Sequence, residues 1–352
     1  MKVGLIGFAR SGKTTVFNAI TGATAEVGAY GSREANVAVI KVPDARVDAL
    51  TDMFKPKKKT YAEIEFIDIA PVEGTDQDKA LDNAALNLLK NADALVHVVR
   101  AFENENVMHP RETVNPERDV VALEEELQLI DLIIIEKRVE RLEKEHKKDT
   151  EHELLVRCKE HLETGAPLRT LELNAQEESS LRNFTFLSQK PMMVLGNYGD
   201  DAIGKDNPSG LHEVTQKLNL KLIEFCGALE MEVNQLPEEE RASFREELGL
   251  GEESRIRFIQ FAYEMLGLIS FLTAGEPEVR AWTIRRGTHA VDAAGVIHSD
   301  IKRGFIRAET VAYDHFMEAG SMAKAKEKGW VRLEGKEYVV QDGDMLLFRF
   351  NV

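Results

Sequence analysis

The chain has 352 residues, 43% of them hydrophobic, and its 45 Lys and Arg against 61 Asp and Glu give a formal net charge of −16. This length predicts two or three domains, each able to bury its own core. The negative net charge argues against a protein that coats nucleic acid along its whole surface, so any contact with RNA needs local basic patches. No apolar run is long enough to span a bilayer, no signal-peptide pattern is present, and Cys158 and Cys226 lack metal-ligand spacing. We therefore expect a cytoplasmic protein with no membrane contact.

The first element predicted along the chain is a phosphate-binding loop. Residues 7–14 match the pattern G-x-x-x-x-G-K-[ST] at every fixed position, between an apolar run that predicts a strand and a run that predicts a helix ending at Gly22. Backbone N–H groups and the helix N-terminus bind phosphate in this context, with Lys13 on the outer phosphates and the Thr14 hydroxyl on Mg²⁺. The alternative is an incidental glycine-rich turn. The expected phosphate-binding residues are Ala9, Arg10, Ser11, Gly12, Lys13, Thr14 and Thr15.

Further apolar runs predict strands at residues 34–42, 62–67, 94–100, 191–195 and 221–225, alternating with helices such as 80–90. Alternation of this kind predicts a mainly parallel sheet with its ligand at the carboxyl ends of the strands. Asp68 directly follows the strand at 62–67, where a nucleotidase holds a carboxylate linked to Mg²⁺. His97 lies inside a predicted strand, which favours a core residue over a general base.

Residues 116–182 are charged, nearly free of glycine and strongly helical in pattern. The four-three-four spacing of Leu123, Leu127, Ile130 and Ile134, a polar segment at 144–149 and a second apolar seam predict an antiparallel helical hairpin. The hairpin is expected as an insertion at residues 117–182. An arm that contacts a partner is favoured over a helical brace.

The last part of the chain, residues 268–352, predicts a small separate α+β module. Short strands are expected at 280–284, 338–340 and 345–350, separated by glycine-rich turns. The nucleotide-binding domain is then expected to comprise residues 1–116 and 183–267.

Several C-terminal motifs resemble the YchF family of Obg-related P-loop nucleotidases, at residues 271–275, 278–284, 298–300, 304–308 and 342–344, and so does the segment 168–171. The resemblance covers essentially the whole chain. It implies a P-loop nucleotide domain, a helical insertion and a C-terminal TGS domain. It further implies Mg²⁺-dependent binding of ATP in preference to GTP, and association with ribosomes, with ribosomal RNA lying between the hairpin and the TGS domain.

The expected base-binding residues are Asn197, Tyr198 and Asp200, followed by a second loop of Cys226, Gly227 and Ala228. Guanine-specific relatives carry Asn-Lys-x-Asp at the first loop, and the YchF family carries Asn-x-x-Glu. Here the sequence is Asn-Tyr-Gly-Asp, in which Tyr198 is expected to stack on either purine. The choice between ATP and GTP stays open, and an ordinary turn is the alternative.

The catalytic region departs from the relatives. Pro71 stands where they have a glycine whose N–H contacts the γ-phosphate, and proline has no N–H. Val72 is apolar, as in the YchF family, and the resemblance places Ser32 where family members carry a Mg²⁺-binding Thr. No catalytic residue is assigned. Two functions follow: a weak nucleoside triphosphatase that switches its affinity for ribosomes, or a nucleotide-binding protein without turnover.

Two basic clusters are candidates for RNA contact, although a solvated surface is the alternative. One is the run Lys55-Pro-Lys57-Lys58-Lys59, and the other is an arginine-rich set in the C-terminal module. We expect the protein to be a monomer.

Overall fold

The computed structural model describes residues 1–22, 35–69, 81, 83–202, 205, 209–248 and 254–351. The strands, in chain order, are β1 Lys2–Ile6, β2 Asn36–Val42, β3 Lys58–Thr60, β4 Ala62–Asp68, β5 Ala94–Ala101, β6 Met192–Tyr198, β7 Lys221–Phe225, β8 Leu268–Ala274, β9 Glu278–Arg285, β10 Phe305–Ala312, β11 Arg332–Glu334 and β12 Asp344–Phe350.

The helices, in chain order, are α1 Lys13–Thr21, α2 Ala45–Phe54, α3 Asn83–Leu89, α4 Pro116–Lys144, α5 Thr150–Glu163, α6 Ala175–Leu181, α7 Leu211–Lys217, α8 Gly227–Gln235, α9 Glu238–Glu247, α10 Ser254–Met265, α11 Ala290–Ile297, α12 Ser299–Arg303, α13 Tyr313–Ala319 and α14 Met322–Glu327. Within the described part of the chain, no helix is both long enough and apolar enough to cross a membrane.

The chain forms two compact units. The first comprises Met1–Val39 and Glu65–Arg257, and the second comprises Ile40–Ile64 and Phe258–Val352. The helical hairpin therefore belongs to the first unit, whereas residues 40–64 group with the C-terminal part rather than with the nucleotide domain in which the sequence pattern placed them. The reason is hydrogen bonding, because β3 pairs in parallel with β9.

The first sheet has the order β2-β4-β1-β5-β6-β7. The pairings β1–β4, β1–β5, β5–β6 and β6–β7 are all parallel, which confirms the predicted P-loop α/β architecture. The chain moves from β1 to β4 on one side and then to β5 on the other. Such a reversal of strand order places a ligand site at the carboxyl end of the strand between them, here β1.

The predicted helical hairpin is confirmed. The first half of α4 buries Leu123 and Leu127 in the core beneath the sheet, and its second half packs against α5 through a cluster that includes Leu142, Leu155 and Cys158. The seam is interrupted at Arg138, whose Nε donates to Glu151 on α5 at 2.7 Å. An ion pair between the helices thus replaces one apolar contact.

The second sheet has the order β11-β10-β12-β8-β9-β3 and mixed pairing. β8 is antiparallel to β9 and parallel to β12, and β10 is antiparallel to β11 and β12. The expected strand at 338–340 is wrong: only Val339 forms an isolated bridge, with His289. The neighbouring backbone groups bond to the segment before α11, since Val340 N donates to Thr288 O at 3.0 Å.

Candidate functional site

The loop between β1 and α1 depends on two glycines with positive φ. Gly7 has φ 141° and Gly12 has φ 89°, a region that L side chains rarely adopt. A Cβ on Gly7 would also collide with the Val98 carbonyl of β5. The loop leads directly into the first helical hydrogen bond, from Val16 N to Gly12 O at 2.8 Å. The sequence thus folds here into a tight turn at a helix N-terminus, as the phosphate-loop pattern predicts.

Lys13 lies inside this turn. Its Nζ donates to the carbonyls of Gly7 and Phe8 at 2.8 and 2.9 Å, and only 6% of the residue is exposed. Burial lowers the pKa of Lys13 to about 8, although the nearby Asp68 carboxylate opposes the shift. The loop therefore encloses the ammonium group, and its protonated form is less favourable than that of an exposed lysine.

Thr14 and Asp68 meet at the carboxyl ends of β1 and β4. The Thr14 hydroxyl donates to Asp68 Oδ2 at 2.9 Å, and Asn36 Nδ2 donates to the same oxygen at 3.2 Å. The other carboxylate oxygen, Asp68 Oδ1, is buried and has no hydrogen-bond partner among the described residues. A buried carboxylate oxygen without a partner is costly, so this atom is suited to a cation or a cation-bound water.

Asn197, at the end of β6, joins two loops of the site. Its Nδ2 donates to the Ser11 carbonyl at 3.0 Å, and its Oδ1 accepts from Gly227 N at 3.0 Å. A Cβ on Gly12 would overlap the Asn197 amide, and one on Gly227 would lie 3.2 Å from its oxygen. The amide expected to bind a base is thus engaged in holding the phosphate loop against the start of α8.

Tyr198 does not lie where the sequence placed it. It is 7% exposed, packs in the core under the sheet, and its hydroxyl lies 2.9 Å from Ser209 Oγ. Burial raises the pKa of Tyr198 to about 12. The alternation of a strand explains the difference, because Tyr198 follows Asn197 and therefore points to the opposite face of the sheet. The ring is not available for stacking on a purine.

The other expected base-binding residues follow the ends of β6 and β7. Asp200 is exposed in a short 3₁₀ turn, Asp200–Ala202. Cys226 is half-buried as the N-cap of α8, and Gly227 and Ala228 form the first turn of that helix. These residues lie at the carboxyl ends of β6 and β7, as the parallel sheet requires.

Sequence reasoning missed Phe102. A Cβ built on Gly12 would lie 3.9 Å from the Phe102 ring, and one on Gly199 would lie 3.5 Å from its Cβ. Its neighbour Arg100 is buried, donates from Nε to the Phe102 carbonyl at 3.1 Å and lies 4.7 Å from the ring centroid. The signal was available, since Phe102 follows a buried parallel strand whose carboxyl end borders the site.

The segment after Phe102 is fixed to the base of α4. His109 is buried, and its Nε2 lies 2.9 Å from the buried Asp119 carboxylate. Arg10, exposed in the phosphate loop with φ 62°, donates to the Met108 carbonyl at 3.1 Å. The loop after β5 thus contacts the phosphate loop directly.

His97 occupies β5 beneath the phosphate loop. It is fully buried, and neither ring nitrogen has a hydrogen-bond partner in the described part of the chain. Burial, followed by repulsion from Lys13, lowers the pKa of His97 to about 3. The ring is therefore neutral at physiological pH, which fits the core interpretation. Ser32, Pro71 and Val72 lie outside the described residues.

Two family models match the chain. Residues 2–156 match MMR_HSR1, described as a 50S ribosome-binding GTPase, and residues 268–351 match YchF-GTPase_C, described as a protein of unknown function. The chain is 42% identical to the ribosome-binding ATPase YchF of Bacillus subtilis, with 100% of both chains covered. The chain belongs to the YchF family.

Other YchF proteins agree. The ribosome-binding ATPase YchF of Escherichia coli O157:H7 is 39% identical, over 100% of this chain and 99% of its own length. The solved structure of the Schizosaccharomyces pombe YchF GTPase has a TM-score of 0.87 and 28% identity, over 99% of this chain and 97% of the yeast chain. The YchF relationship therefore extends over both compact units.

Proposed function

We propose that this chain binds a purine nucleoside triphosphate with Mg²⁺ at residues 7–14, hydrolyses it slowly and associates with ribosomes according to its nucleotide state. One observation carries the nucleotide part. The Thr14 hydroxyl and the Asp68 carboxylate lie 2.9 Å apart at the end of the phosphate loop, with Asp68 Oδ1 buried and unpartnered in the described structure. This is the donor set that a P-loop nucleotidase offers to Mg²⁺.

The phosphates would lie on the loop and the first turn of α1. The Lys13 ammonium, which donates to the carbonyls of Gly7 and Phe8, would turn to the outer phosphate oxygens and keep its charge there. Because Lys13 is enclosed, its interaction with an anion is only weakly screened by water. Backbone N–H groups of residues 9–15 complete the phosphate cradle.

The residues present fit a Mg²⁺ ion that is shared with the nucleotide. In the described part of the chain, no group of three His, Cys, Asp or Glu side chains is arranged to hold a metal alone. Mg²⁺ usually takes one or two protein ligands and completes its shell with phosphates and water. Thr14 and Asp68 would hold it, with Ser32 as a further hydroxyl, and the ion would neutralise charge between the outer phosphates.

Base recognition is proposed for Asp200 and the turn at 226–228, with Asn197 as the residue that positions both loops. Phe102 lies beside Gly12 and Gly199 and offers an aromatic side chain at the same place. The bacterial relatives are named ATPases and the yeast relative is named a GTPase. We propose that this chain accepts both purines, because its Asp200 is shorter than the family's Glu and no lysine accompanies it.

Ribosome association is supported by the names of the full-length relatives and by the description of the model matched by residues 2–156. A ribosomal partner also agrees with the cytoplasmic location and the monomeric state expected from the sequence. The test is sedimentation with purified ribosomes in the presence of ATP, a non-hydrolysable ATP analogue or ADP, each with Mg²⁺. Sedimentation that depends on the nucleotide supports the proposal, and equal or absent sedimentation in all three overturns its ribosomal part.

A nucleotide-binding protein without turnover is the second candidate, and Pro71 favours it. A proline at this position donates no hydrogen bond to the γ-phosphate. Phosphate release from the wild type and from Pro71→Gly separates the two. Measurable release from the wild type supports the nucleotidase, and release only from the variant supports the second candidate.

A further inference from the structure

Arg10 lies in the middle of the phosphate loop, two positions before Gly12, and its side chain is exposed. Its φ is 62°, a left-handed conformation that residues with a Cβ rarely adopt. Residues held in this conformation cluster at ligand sites, because the surrounding structure has to maintain it. The loop thus presents a guanidinium group at the place proposed for phosphate binding.

The contact that holds this guanidinium group is easily exchanged. Arg10 Nη1 donates to the Met108 carbonyl in the loop after β5 at 3.1 Å, and both residues are exposed. The partner found for Arg10 in the described part of the chain is this neutral carbonyl and not a carboxylate. An exposed hydrogen bond between neutral and charged groups is readily replaced by one to water or to a bound anion. The side chain is therefore free to turn to a phosphate.

Two neighbouring arginines are engaged differently. The Arg111 guanidinium lies over the Phe8 ring, 4.6 Å from its centroid. Arg118 forms an ion pair with the buried Asp119 carboxylate, with Nη2 and Oδ1 2.9 Å apart. An aromatic face and a carboxylate hold these groups where they are. Arg10 is thus the arginine at this loop that is best placed to move when a ligand binds.

The loop after β5 keeps an anchor when Arg10 moves. Arg100 is buried, and its Nη2 donates at 2.8 Å to the carbonyl of Val107, the residue before Met108. Burial lowers the pKa of the Arg100 guanidinium; the Glu103 carboxylate opposes this shift, and the like charge of Arg10 adds to it. An anion beside Arg10 would offset the repulsion between the two guanidinium groups.

The proposed site also lacks donors for an outer phosphate. Pro71 has no N–H to donate, and burial lowers the pKa of Lys13 to about 8, so part of the lysine charge is lost in mildly alkaline solution. An arginine keeps its charge at any physiological pH. Its planar group also offers several N–H donors with the geometry that phosphate oxygens accept.

We propose that Arg10 recognises the outer phosphate of the bound nucleoside triphosphate. On binding, its guanidinium group leaves the Met108 carbonyl and donates to oxygens of that phosphate. With a diphosphate bound, the group stays on Met108. Arg10 therefore makes the chain favour triphosphate over diphosphate, and its position differs between the two nucleotide states. The inference rests on the proposed nucleotide binding at residues 7–14 and names the residue that distinguishes the two ligands.

The test is calorimetric titration of the full chain with a non-hydrolysable ATP analogue and with ADP, each with Mg²⁺. Arg10→Met keeps an aliphatic stem and removes the charge. It should weaken binding of the analogue by about tenfold, the effect of one charge-assisted hydrogen bond, and should change ADP binding by less than about twofold. Equal losses for the two ligands, or no loss for either, overturn the proposal.

Arg157→Met is the matched control. Arg157 is an exposed arginine on α5 that also donates to a backbone carbonyl, that of Glu172 at 3.5 Å. This variant removes the same charge away from the phosphate loop, so both affinities should equal those of the wild type. If the control loses affinity for the analogue as Arg10→Met does, the effect belongs to net charge and the proposal is wrong.

A second measurement follows the side chain itself. NMR spectra of the arginine Nε–H groups, with the Arg10 signal assigned by its absence in Arg10→Lys, report whether the group changes partner. The Arg10 signal should shift when the ATP analogue binds and should stay near its free position with ADP. A signal that moves equally with both ligands places the contact on the inner phosphates and contradicts the proposal.

These outcomes can be told apart from failure of the proposed function. If the wild type binds neither nucleotide, the proposed function fails and the inference fails with it. If the wild type binds both nucleotides and Arg10→Met binds each of them equally well, only the role of Arg10 is wrong and the proposed function stands.

Discussion

The side-chain amide of Asn197 donates to the Ser11 carbonyl at 3.0 Å, so the end of β6 is fastened to the phosphate loop. The same amide accepts from Gly227 N at 3.0 Å. One buried side chain thus links the loop expected to hold phosphates with the turn expected to hold the base. Its two glycine neighbours, Gly12 and Gly227, leave the space that the amide occupies.

Asn197→Ala should therefore weaken both folding and nucleotide binding. Each buried backbone group left without a partner costs about 1–3 kcal/mol, and two groups are affected. We expect a lower free energy of unfolding by denaturant and a loss of ATP affinity of about tenfold or more. Asn87→Ala, at an exposed position on α3, is the control and should change stability by less than about 0.5 kcal/mol. Unchanged ATP affinity in Asn197→Ala would show that the link is not needed.

Gly12→Ala should abolish nucleotide binding. A Cβ there would overlap the Asn197 amide, and φ is 89°. Gly165→Ala is the matched control, because Gly165 has φ 82° but open space around its Cβ position. The control should lose only about 1 kcal/mol of stability from strain and should bind ATP normally. Calorimetric titration of the two variants side by side measures the difference, and similar affinities would contradict the steric argument.

Nucleotide affinity should fall as the pH rises through about 8. Burial lowers the pKa of Lys13 to about 8 in the free protein, and a bound phosphate would raise it again. The charged form is present below that pH and is lost above it, so ATP affinity should decrease by roughly tenfold between pH 7 and pH 9, with proton uptake on binding near pH 8. Titrations in two buffers of different ionisation enthalpy detect the uptake. An affinity independent of pH over this range would mean that Lys13 keeps its charge or does not contact phosphate.

The stability of the hairpin should depend on the buried apolar residues between α4 and α5 and not on its surface leucines. Leu155 on α5 is fully buried, whereas Leu129 on α4 is 57% exposed. Leu155→Ala should cost about 2–5 kcal/mol, and Leu129→Ala, which changes the same atoms, should cost less than about 0.5 kcal/mol. Chemical denaturation followed by circular dichroism measures both. Equal losses of unfolding free energy in the two variants would show that Leu155 does not lie in the buried contact between α4 and α5.

Patterns with a physical period were sufficient for most of the fold. The strand at 221–225 was predicted with its observed bounds, and the seam containing Leu155 and Cys158 is buried as the helical spacing required. Residues 338–340 were wrongly predicted as a strand, because an apolar run does not show whether its backbone has a pairing partner. The pairing of β3 with β9 was also invisible in the sequence, since no local pattern joins residues that far apart.

The site was predictable where a motif fixes the backbone conformation. It was less predictable where a residue's position in a strand decides which face of the sheet its side chain lies on. Thr14 and Asp68 meet as the order of parallel strands implies. Tyr198 was misjudged because its position in β6 turns it into the core, and Phe102 was missed because it lies in no motif. Side chains alternate between the two faces of a strand, so placing Asn197 at the site would have placed Tyr198 on the opposite face.

We propose that Thr14 and Asp68 hold Mg²⁺ for a nucleotide bound at residues 7–14. Calorimetric titration of ATP and of GTP, each with Mg²⁺ and with a chelator, tests it most directly in the wild type and in Asp68→Asn. We predict binding of both nucleotides that is strengthened by Mg²⁺ in the wild type, and loss of the Mg²⁺ effect in the variant. Binding of neither nucleotide, or a Mg²⁺ effect that survives in Asp68→Asn, would contradict the account.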